Sequence, residues 1–290
     1  MFSNILVATD LSEVSEKVVC TIGNLKALGT RKVLLIHCLN IRDVGTLANR
    51  IIELSRPSFE KQQKILESQG FETTAKMVLG LPQIEINKIA EENDCSMILV
   101  GSHGKTMASE IMLGGVASSV IHSATKPVLI MRLGLRVENG RTVCDDIKCN
   151  LLEHILFPTD FSDNAQHAFS YVEKIAECGA KRITLLHVQD KGRIDKHLKD
   201  HLEEFNQIDT ERLKHLKSDL TKRGALDVRV ELPYGSPKKE IIDRSCNGDV
   251  SLIVMGSQGR GFFGELFLGS VSHSVVRHSR VPVLLIPAIR

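Results

Sequence analysis

The chain has 290 residues, of which 42% are hydrophobic and 25% are charged, and its formal net charge is +2. This length predicts about two domains, and the composition is ordinary for a soluble globular protein. The basic residues form no long run, so the sequence gives no reason to expect nucleic-acid binding. We find neither the features of a signal peptide nor an apolar run long enough to cross a bilayer, and therefore expect a cytoplasmic protein without membrane segments.

The first half alternates short apolar runs with longer helical stretches. The predicted strands are Ile5–Thr9, Lys32–Cys38, Glu72–Val78, Met97–Val100 and Val128–Met131. The predicted helices are Glu13–Leu28, Gly45–Ser68 and Gln83–Asn93. The apolar runs show no clear alternation of apolar and polar residues, which is typical of parallel strands that are covered on both faces.

The second half repeats this order. Residues Asn4–Asp10 match His154–Asp160 at an offset of 150 (4 to 154), whereas Gly80-Leu-Pro82 matches Gly235-Ser-Pro237 at an offset of 155 (80 to 235). The second copy has therefore gained five residues between its second strand and the Gly-x-Pro turn. Its predicted strands and helices are Ile155–Thr159, Asn164–Cys178, Arg182–Val188, Ile194–Arg223, Asp227–Leu232, Lys238–Cys246, Leu252–Met255, a helix that ends near His278, and Val283–Ile286.

Alternating strands and helices predict a doubly wound α/β fold with a parallel sheet in each copy. We place the first domain at residues 1–132 and the second at residues 152–290. The polar segment 133–151 has no counterpart within the repeat and is predicted to be the linker.

A glycine-rich loop follows the fourth strand of each copy. It comprises Gly101, Gly104, Gly114 and Gly115 in the first copy, and Gly256, Gly259, Gly269 and Ser270 in the second. Glycine lets backbone N–H groups approach a phosphate closely, and the helix that follows adds a partial positive charge. The alternative is a tight turn that binds no ligand. The sequence Gly104-Lys105-Thr106 resembles the end of a P-loop, but Leu99 stands where that motif requires glycine.

An aspartate ends the first strand of each copy. Asp10 and Asp160 lie at the carboxyl edge of the predicted sheet, where open α/β folds bind their ligands. Capping of the following helix is the alternative role, and the two roles are compatible.

Together these motifs resemble those of the universal stress protein family in its tandem form, over both copies except the linker. The nucleotide motif of that family is Gly-x2-Gly-x9-Gly-(Ser/Thr). The second copy matches every position, whereas the first has Gly115 in place of the hydroxyl residue. The resemblance implies a five-stranded parallel sheet in the order 3-2-1-4-5 in each copy. It also implies ATP as the ligand and pairing of the two copies through their fifth strands.

The predicted nucleotide-binding residues lie at the strand ends and in the glycine loops. In the second copy they are Pro158, Thr159, Asp160, Val188, Met255, Gly256, Gly259, Arg260, Gly269, Ser270, Val271 and Ser272. In the first copy they are Ala8, Thr9, Asp10, Cys38, Gly101, Gly104, Lys105, Gly114, Gly115 and Val116. Loss of one hydroxyl contact at Gly115 is worth about 0.5–1.5 kcal/mol, so we expect a weaker first site. Mg²⁺ is a candidate ion to bridge the phosphates and the loop.

Two other clusters have alternative interpretations. His197 and His201, with His215 further along, fit one helix face that binds a metal, or a solvated charged face. Cys144 and Cys149 in the linker fit a disulfide, a metal clip or a redox switch, or simply reduced thiols. His37 and His187 end buried strands, where we expect satisfied core or near-site groups.

No nucleophile, base and orienting group can be assembled from the sequence, so we expect a binding protein with at most weak ATP hydrolysis. The leading hypothesis is an ATP-binding stress-response protein with an adenine nucleotide and an unidentified protein as partners. The two copies would form an internal pair, with a homodimer as a further option. The alternatives are an interaction scaffold with empty loops, and a nucleotide hydrolase or adenylyl-transfer enzyme.

Overall fold

A computed structural model of the chain divides into two compact units, residues 1–149 and 150–290. It describes residues 1–41, 48–102, 113–132, 150–197, 199–259 and 268–288, and the backbone of 135–138 and 141–144; the side chains of 196 and 197 are outside this description. Within these ranges, no helix has both the length and the apolar character that a membrane crossing requires.

The first unit contains a five-stranded parallel sheet. Its strands are β1 (Asn4–Thr9), β2 (Lys32–Asn40), β3 (Glu72–Gly80), β4 (Met97–Gly101) and β5 (Val128–Met131). Its helices are α1 (Glu13–Thr21), α2 (Ala48–Ser68), α3 (Pro82–Glu92) and α4 (Gly115–Ser123). The strands lie in the order β3-β2-β1-β4-β5, which confirms the predicted order 3-2-1-4-5.

Outside this sheet, the predicted linker contains two short strands, β6 (Leu135–Glu138) and β7 (Arg141–Cys144). They pair in an antiparallel arrangement, with Glu138 opposite Arg141. The linker prediction specified no strands in this segment.

The second unit repeats the five-stranded sheet and also contains a separate pair of short strands. Its main strands are β8 (Ile155–Pro158), β9 (Arg182–Leu186), β11 (Asp227–Glu231), β13 (Leu252–Gly256) and β14 (Val283–Ile286), in the order β11-β9-β8-β13-β14. Its helices are α5 (Asp163–Glu177), α6 (Lys191–His197), α7 (Leu202–Lys222), α8 (Pro237–Cys246) and α9 (Ser270–His278). Two short strands, β10 (Gln189–Asp190) and β12 (Tyr234–Gly235), form a separate parallel pair.

The core of each unit forms because the central strands are apolar on both faces. In β8, Ile155, Leu156 and Phe157 are fully buried. A strand that is buried on both faces needs a cover of helices on each side, and the continuous apolar runs predicted this arrangement. The carboxyl ends of the parallel strands then lie together at one edge of each sheet.

The first helix of each unit begins at a serine cap. Ser12 accepts a hydrogen bond from the Ser15 amide at 3.1 Å, and Ser162 accepts one from the Ala165 amide at 3.2 Å. The carboxylate of Asp160 accepts from the Ser162 hydroxyl at 2.6 Å and from its amide at 3.1 Å. The cap residue is therefore the serine, and the aspartate orients it.

Two predicted helices are interrupted. Glu13–Leu28 is an α-helix only as far as Thr21 and continues as a 3₁₀ segment, Ile22–Leu28. Gly23 lies at this change, where its low helix propensity favours a break. The predicted helix from Ile194 to Arg223 is broken between α6 and α7, with a 3₁₀ turn at residues 199–201.

Tertiary contacts give the physical reason for this second break. The β10–β12 pair lies immediately before α6, and the Tyr234 hydroxyl donates a hydrogen bond to Asp195 on α6. These contacts tie α6 to the β10–β12 pair.

Candidate functional site

A cavity of about 630 Å³ lies at the carboxyl edge of the sheet in the second unit. It is lined by every residue that the sequence predicted for this copy except Arg260, which lies outside the described residues. These lining residues are Pro158, Thr159, Asp160, Val188, Met255, Gly256, Gly259, Gly269, Ser270, Val271 and Ser272. The volume falls in the range of small-molecule sites.

The glycine loop is closed at its base by backbone hydrogen bonds. The Gly269 amide donates to the Ser257 carbonyl at 2.8 Å, and the Ser257 amide donates to the Ile286 carbonyl at 2.7 Å. Gly269 is the N-cap residue of α9, and no side chain caps this helix. The first turn of α9 therefore faces the cavity with amide groups and a partial positive charge, an arrangement that binds anions.

The three loop glycines of this unit lie where the backbone packs closely. A Cβ atom on Gly256 would lie 3.2 Å from the Asn164 carbonyl oxygen, and one on Gly269 would lie 3.3 Å from that of Ser257. A side chain on Gly259 would meet the carboxylate of Asp160. Glycine at these positions therefore suits the close packing of the loop as well as access of a ligand to the backbone.

The two serines at the start of α9 differ in their surroundings. Ser272 is buried, and its hydroxyl donates to the Gly256 carbonyl at 2.8 Å. Ser270 is exposed and lines the cavity. Ser272 thus fixes α9 to the end of β13, whereas the position of Ser270 suits contact with a ligand.

The far wall of the cavity consists of residues that the sequence did not predict. They come from β10, α6, α7 and α8: Gln189, Asp190, Arg193, Ile194, Phe205, Ile208, Asp209, Arg212, Pro237 and Ile241. Gly70 follows α2 and Gly224 follows α7, and the amide of each donates a hydrogen bond to the carbonyl three residues before it. These two glycines are therefore equivalent, at an offset of 154 (70 to 224). Because His37 and His187 match at 150, four of the five extra residues lie before this point, in the stretch that builds this wall. The difference in length between the two copies was therefore the sequence signal that pointed to this wall.

Three nitrogen-bearing side chains surround the carboxylate of Asp209 in this wall. Oδ2 lies 3.4 Å from His187 Nε2 and 3.3 Å from Gln189 Nε2, and Oδ1 lies 3.7 Å from Arg212 Nη1. The other ring nitrogen of His187, Nδ1, lies 2.7 Å from the Thr159 carbonyl oxygen. Since a carbonyl only accepts hydrogen bonds, Nδ1 carries a proton.

An aromatic ring completes this cluster. Phe161 has φ of 58°, and its ring lies 4.6 Å from that of His187 and 5.4 Å from the Arg212 guanidinium. Its position fixes the turn that leads from Thr159 and Asp160 into α5.

The first unit keeps the backbone frame of the site. The Gly114 amide donates to the Ser102 carbonyl at 2.8 Å, and α4 begins at Gly115. The equivalent features of the second unit are the bond from Gly269 to Ser257 and the start of α9 at Ser270. Val116 is 46% exposed. Gly101 ends β4, whereas Gly104 and Lys105 lie outside the described residues.

The strand ends of the first unit carry different polar contacts. The Thr9 hydroxyl donates to Gln62 Oε1 at 2.7 Å, and both side chains are buried. His37 Nδ1 donates to the Thr9 carbonyl at 2.9 Å. Burial, together with the charge of Glu85, raises the pKa of the Cys38 thiol to about 11. His37 and His187 are both buried and both bonded to the carbonyl at the end of the first strand, in line with the expectation of satisfied core or near-site groups.

The remaining candidates form no site within the described part of the chain. His201 lies 3.2 Å from Glu204 on an exposed surface. No group of three or more His, Cys, Asp or Glu residues suited to a metal occurs among the described residues. The side chains of His197, Cys144 and Cys149 lie outside the description.

Comparison with known proteins follows the repeat. The model of the universal stress protein family matches residues 1–132 and residues 152–287. A universal stress protein of Methanocaldococcus jannaschii is 32% identical over 155 residues, which cover 46% of this chain and 96% of that protein. A putative universal stress protein of Staphylococcus aureus is 30% identical over 145 residues, 46% of this chain and 83% of its own.

Solved structures extend the similarity to the full length. The crystal structure of a universal stress protein from Archaeoglobus fulgidus covers 99% of both chains at 25% identity, with a TM-score of 0.76. A putative universal stress protein from Pseudomonas aeruginosa shares the fold at 16% identity, with 99% of this chain covered, 93% of its own, and a TM-score of 0.61. Two matches to one family model together span most of the chain, and the chain therefore belongs to the universal stress protein family, in a tandem form.

Proposed function

We propose that the second unit binds ATP in its cavity and that nucleotide occupancy is the basis of a stress-response or signalling role. The observation that carries this proposal is the cavity itself, which combines the glycine loop, the uncapped N-terminus of α9 and Asp160. The amides of the glycine loop and α9 supply what a polyphosphate requires. Family membership supports the proposal, because the second copy carries the full nucleotide motif.

The cavity suggests a role for each group. The phosphates would lie against Gly259, Gly269 and the first turn of α9, with the Ser270 hydroxyl as a further donor. The nucleoside would lie between the ends of β8 and β9, near Asp160 and Val188. Mg²⁺ is a candidate companion of the phosphates, since hard oxygen ligands suit it.

The first unit is proposed as a weaker nucleotide site. It lacks the hydroxyl at Gly115, and its Thr9 hydroxyl already donates to Gln62. Its frame, closed by the Ser102–Gly114 bond, still presents the N-terminus of α4. We expect this unit to bind ATP about tenfold more weakly, the effect of one missing hydrogen bond.

We further propose a binding protein rather than an efficient enzyme, acting in the cytoplasm with a protein partner that senses nucleotide occupancy. A bound nucleotide that favours one loop conformation would shift its population and so alter a partner surface. Pairing of the two units through β5 and β14, or a homodimer, remains part of this proposal.

Titration calorimetry of the full-length chain with ATP tests the main proposal. We expect saturable binding with one stronger and one weaker site, and loss of the stronger site in Gly259→Val. Mass spectrometry of small molecules that copurify with the chain identifies the nucleotide without prior assumption. Absence of saturable binding by ATP, ADP and AMP would refute the proposal. Release of phosphate or AMP at about 1 per second or faster would instead indicate an enzyme.

A further inference from the structure

We propose that Gln62 is a positioning residue that distinguishes the two units, because it directs the hydroxyl proton of Thr9 into the protein and away from a ligand. The equivalent proton of Thr159 in the second unit is available to an acceptor atom of a nucleoside. This inference deepens the proposed nucleotide binding, and its effect on affinity rests on that function. The hydrogen bonds that carry it are independent of any ligand.

The Thr9 hydroxyl lies in a buried polar cluster of the first unit. Thr9, Ser15 and Gln62 are only 6%, 8% and 1% exposed. The Thr9 hydroxyl accepts a hydrogen bond from the Leu11 amide at 3.0 Å. Its single proton has two acceptors within reach, Gln62 Oε1 at 2.7 Å and Ser15 Oγ at 3.0 Å. Because an unmade hydrogen bond is costly at a buried site, the proton stays within this cluster.

The other bonds of the cluster fix the direction of donation. The Ser15 hydroxyl donates its own proton to the Ser12 carbonyl at 2.9 Å, so its oxygen is left to accept. The amide nitrogen of Gln62 lies 3.4 Å from that oxygen, which turns Oε1 of the same side chain toward Thr9. The Thr9 proton therefore has one acceptor on α1 and a closer one on α2.

The second unit replaces both acceptors with apolar side chains. Helices α1 and α5 begin at an offset of 150, which puts Ala165 at the position of Ser15 (15 to 165). Helices α2 and α7 both have 21 residues, at an offset of 154, which puts Leu216 at the position of Gln62 (62 to 216). The buried positions of the two long helices agree with this alignment: Phe59, Gln62 and Leu66 on α2, and Leu213, Leu216 and Leu220 on α7.

The Thr159 hydroxyl keeps its bond within the turn but has lost these acceptors. The Phe161 amide donates to it at 3.0 Å, as the Leu11 amide does to Thr9. Within the part of the chain that the structure describes, the Thr159 hydroxyl proton has no acceptor. Thr159 and Ala165 both line the cavity, so a ligand in the cavity is the expected acceptor.

The position of this donor favours contact with the nucleoside over contact with the phosphates. Thr159 follows β8, where we place the nucleoside, whereas the phosphates are proposed to lie against the first turn of α9. Purine ring nitrogens and ribose oxygens both accept hydrogen bonds. One such bond contributes several-fold to about tenfold in affinity. The first unit lacks this contribution as long as its threonine donates to Gln62.

Exchange of the cluster tests the inference in the full-length chain. Ser15→Ala with Gln62→Leu gives the first unit the apolar pair that already packs in the second. We use a Gly259→Val background, in which the stronger site is expected to be lost. Calorimetric titration with ATP should then show several-fold to about tenfold tighter binding in the double variant. Each single variant leaves one acceptor for the Thr9 proton and should bind like the background.

Thr9→Val separates the freed proton from other effects of the exchange. It removes the hydroxyl and its turn bond in either background, so the gain in ATP affinity should vanish when Thr9→Val is added to the double variant. Inorganic tripolyphosphate, which lacks a nucleoside, should bind the double variant and its background equally. In a chain without the Gly259 change, Ala165→Ser with Leu216→Gln should weaken the stronger site by a similar factor.

Urea unfolding of the ligand-free chain tests the cluster itself. Thr9→Val removes the closest partner of the buried Gln62, so it should lower the urea midpoint more in the parent than in the double variant. Equal shifts would overturn the proposal. So would a gain in ATP affinity in a single variant, an equal gain for tripolyphosphate, or no gain in the double variant of a chain that binds ATP. If the unfolding shifts differ as expected but no variant binds nucleotide, the proposed function fails while the cluster stands.

Discussion

Gly259 lies against Asp160, so closely that a Cβ atom on Gly259 would be 2.6 Å from Asp160 Oδ2. The glycine loop and the end of β8 therefore meet so closely that a side chain at position 259 requires the Asp160 carboxylate or the loop to shift. Because Asp160 also holds the cap of α5, a shift of its carboxylate would affect both the cavity and the helix start.

Gly259→Ala should weaken ATP binding at the second unit by about tenfold or more. The new methyl group must displace Asp160 or the loop, and misplacement of one charge-assisted contact costs this much. Calorimetric titration of the full-length chain measures the effect. Gly115→Ala is the matched control, since a Cβ there meets nothing within 4 Å. Equal affinity of Gly259→Ala and the parent would show that this contact does not shape the site.

The residue that begins the last helix of each unit, Gly115 or Ser270, should set part of the difference in ATP affinity between the units. Gly115 has open space around it, so Gly115→Ser adds a hydroxyl without a clash. We expect this variant to bind ATP several-fold to about tenfold more tightly at the first unit, and Ser270→Gly to lose a similar factor at the second. Titration of Gly115→Ser in a Gly259→Val background, in which the stronger site is expected to be lost, isolates the first site, and Ser270→Gly is titrated in the otherwise unchanged chain. No change in either variant would mean that the hydroxyl makes no contact with the nucleotide.

His154 should make the stability of the second unit depend on pH near neutrality. Its buried ring lies 3.2 Å from Asp249, and Nε2 lies 2.7 Å from the Thr184 hydroxyl. Burial lowers the pKa of His154 below its ordinary value of 6.5, against the opposing charge of Asp249. The unfolded chain therefore binds a proton more readily than the folded chain as the pH falls below this value. The free energy of unfolding should rise with pH through this window.

The first copy supplies the variant that tests this dependence. Asn4 stands where the second copy has His154, so His154→Asn should flatten the pH dependence near neutrality. The hydrogen bond from Arg244 and its charge hold the pKa of Asp249 below its ordinary range. The stability that the ionised Asp249 contributes is therefore lost only at more acidic pH. Urea unfolding of parent and variant across this range measures the difference. Parallel curves would exclude His154 as the titrating group.

Cys38 should react with iodoacetamide far more slowly than the exposed Cys246. With a pKa of about 11, about one Cys38 side chain in a thousand is a thiolate at pH 8, and the thiolate is the reactive form. Peptide mass spectrometry gives the rate at each cysteine. Glu85→Gln should speed the reaction at Cys38, and denaturation should remove the difference between the two residues. A faster reaction at Cys38 in the folded chain would contradict its burial.

The sheet and the glycine loop were predictable because their signals are local. Buried parallel strands require continuous apolar runs, and Gly256, Gly259 and Gly269 occur at fixed spacing after one of them. The hairpin of β6 and β7 also has a local signal in the sequence. Asn139 and Gly140 separate its strands, and this dipeptide favours two-residue hairpin turns.

The far wall of the cavity was not predictable in the same way. Asp209 and Arg212 lie on α7, many residues from both glycines and strand ends, and the amphipathic pattern of a helix does not reveal which loop it faces. The break before α7 depends on the two-residue strands β10 and β12, which are too short to leave a pattern. Only the difference in length between the copies pointed to this region.

The bond from the Gly269 amide to the Ser257 carbonyl, and its equivalent between Gly114 and Ser102, join the two ends of each glycine loop. The segments between these ends, residues 103–113 and 258–268, are equal in length. Because the two segments have the same length and are closed by equivalent bonds, we expect either one to replace the other with the start of α4 or α9 kept in place. Exchange of these two segments between the units therefore tests whether the loop residues, and not the rest of each unit, set a difference in ligand preference.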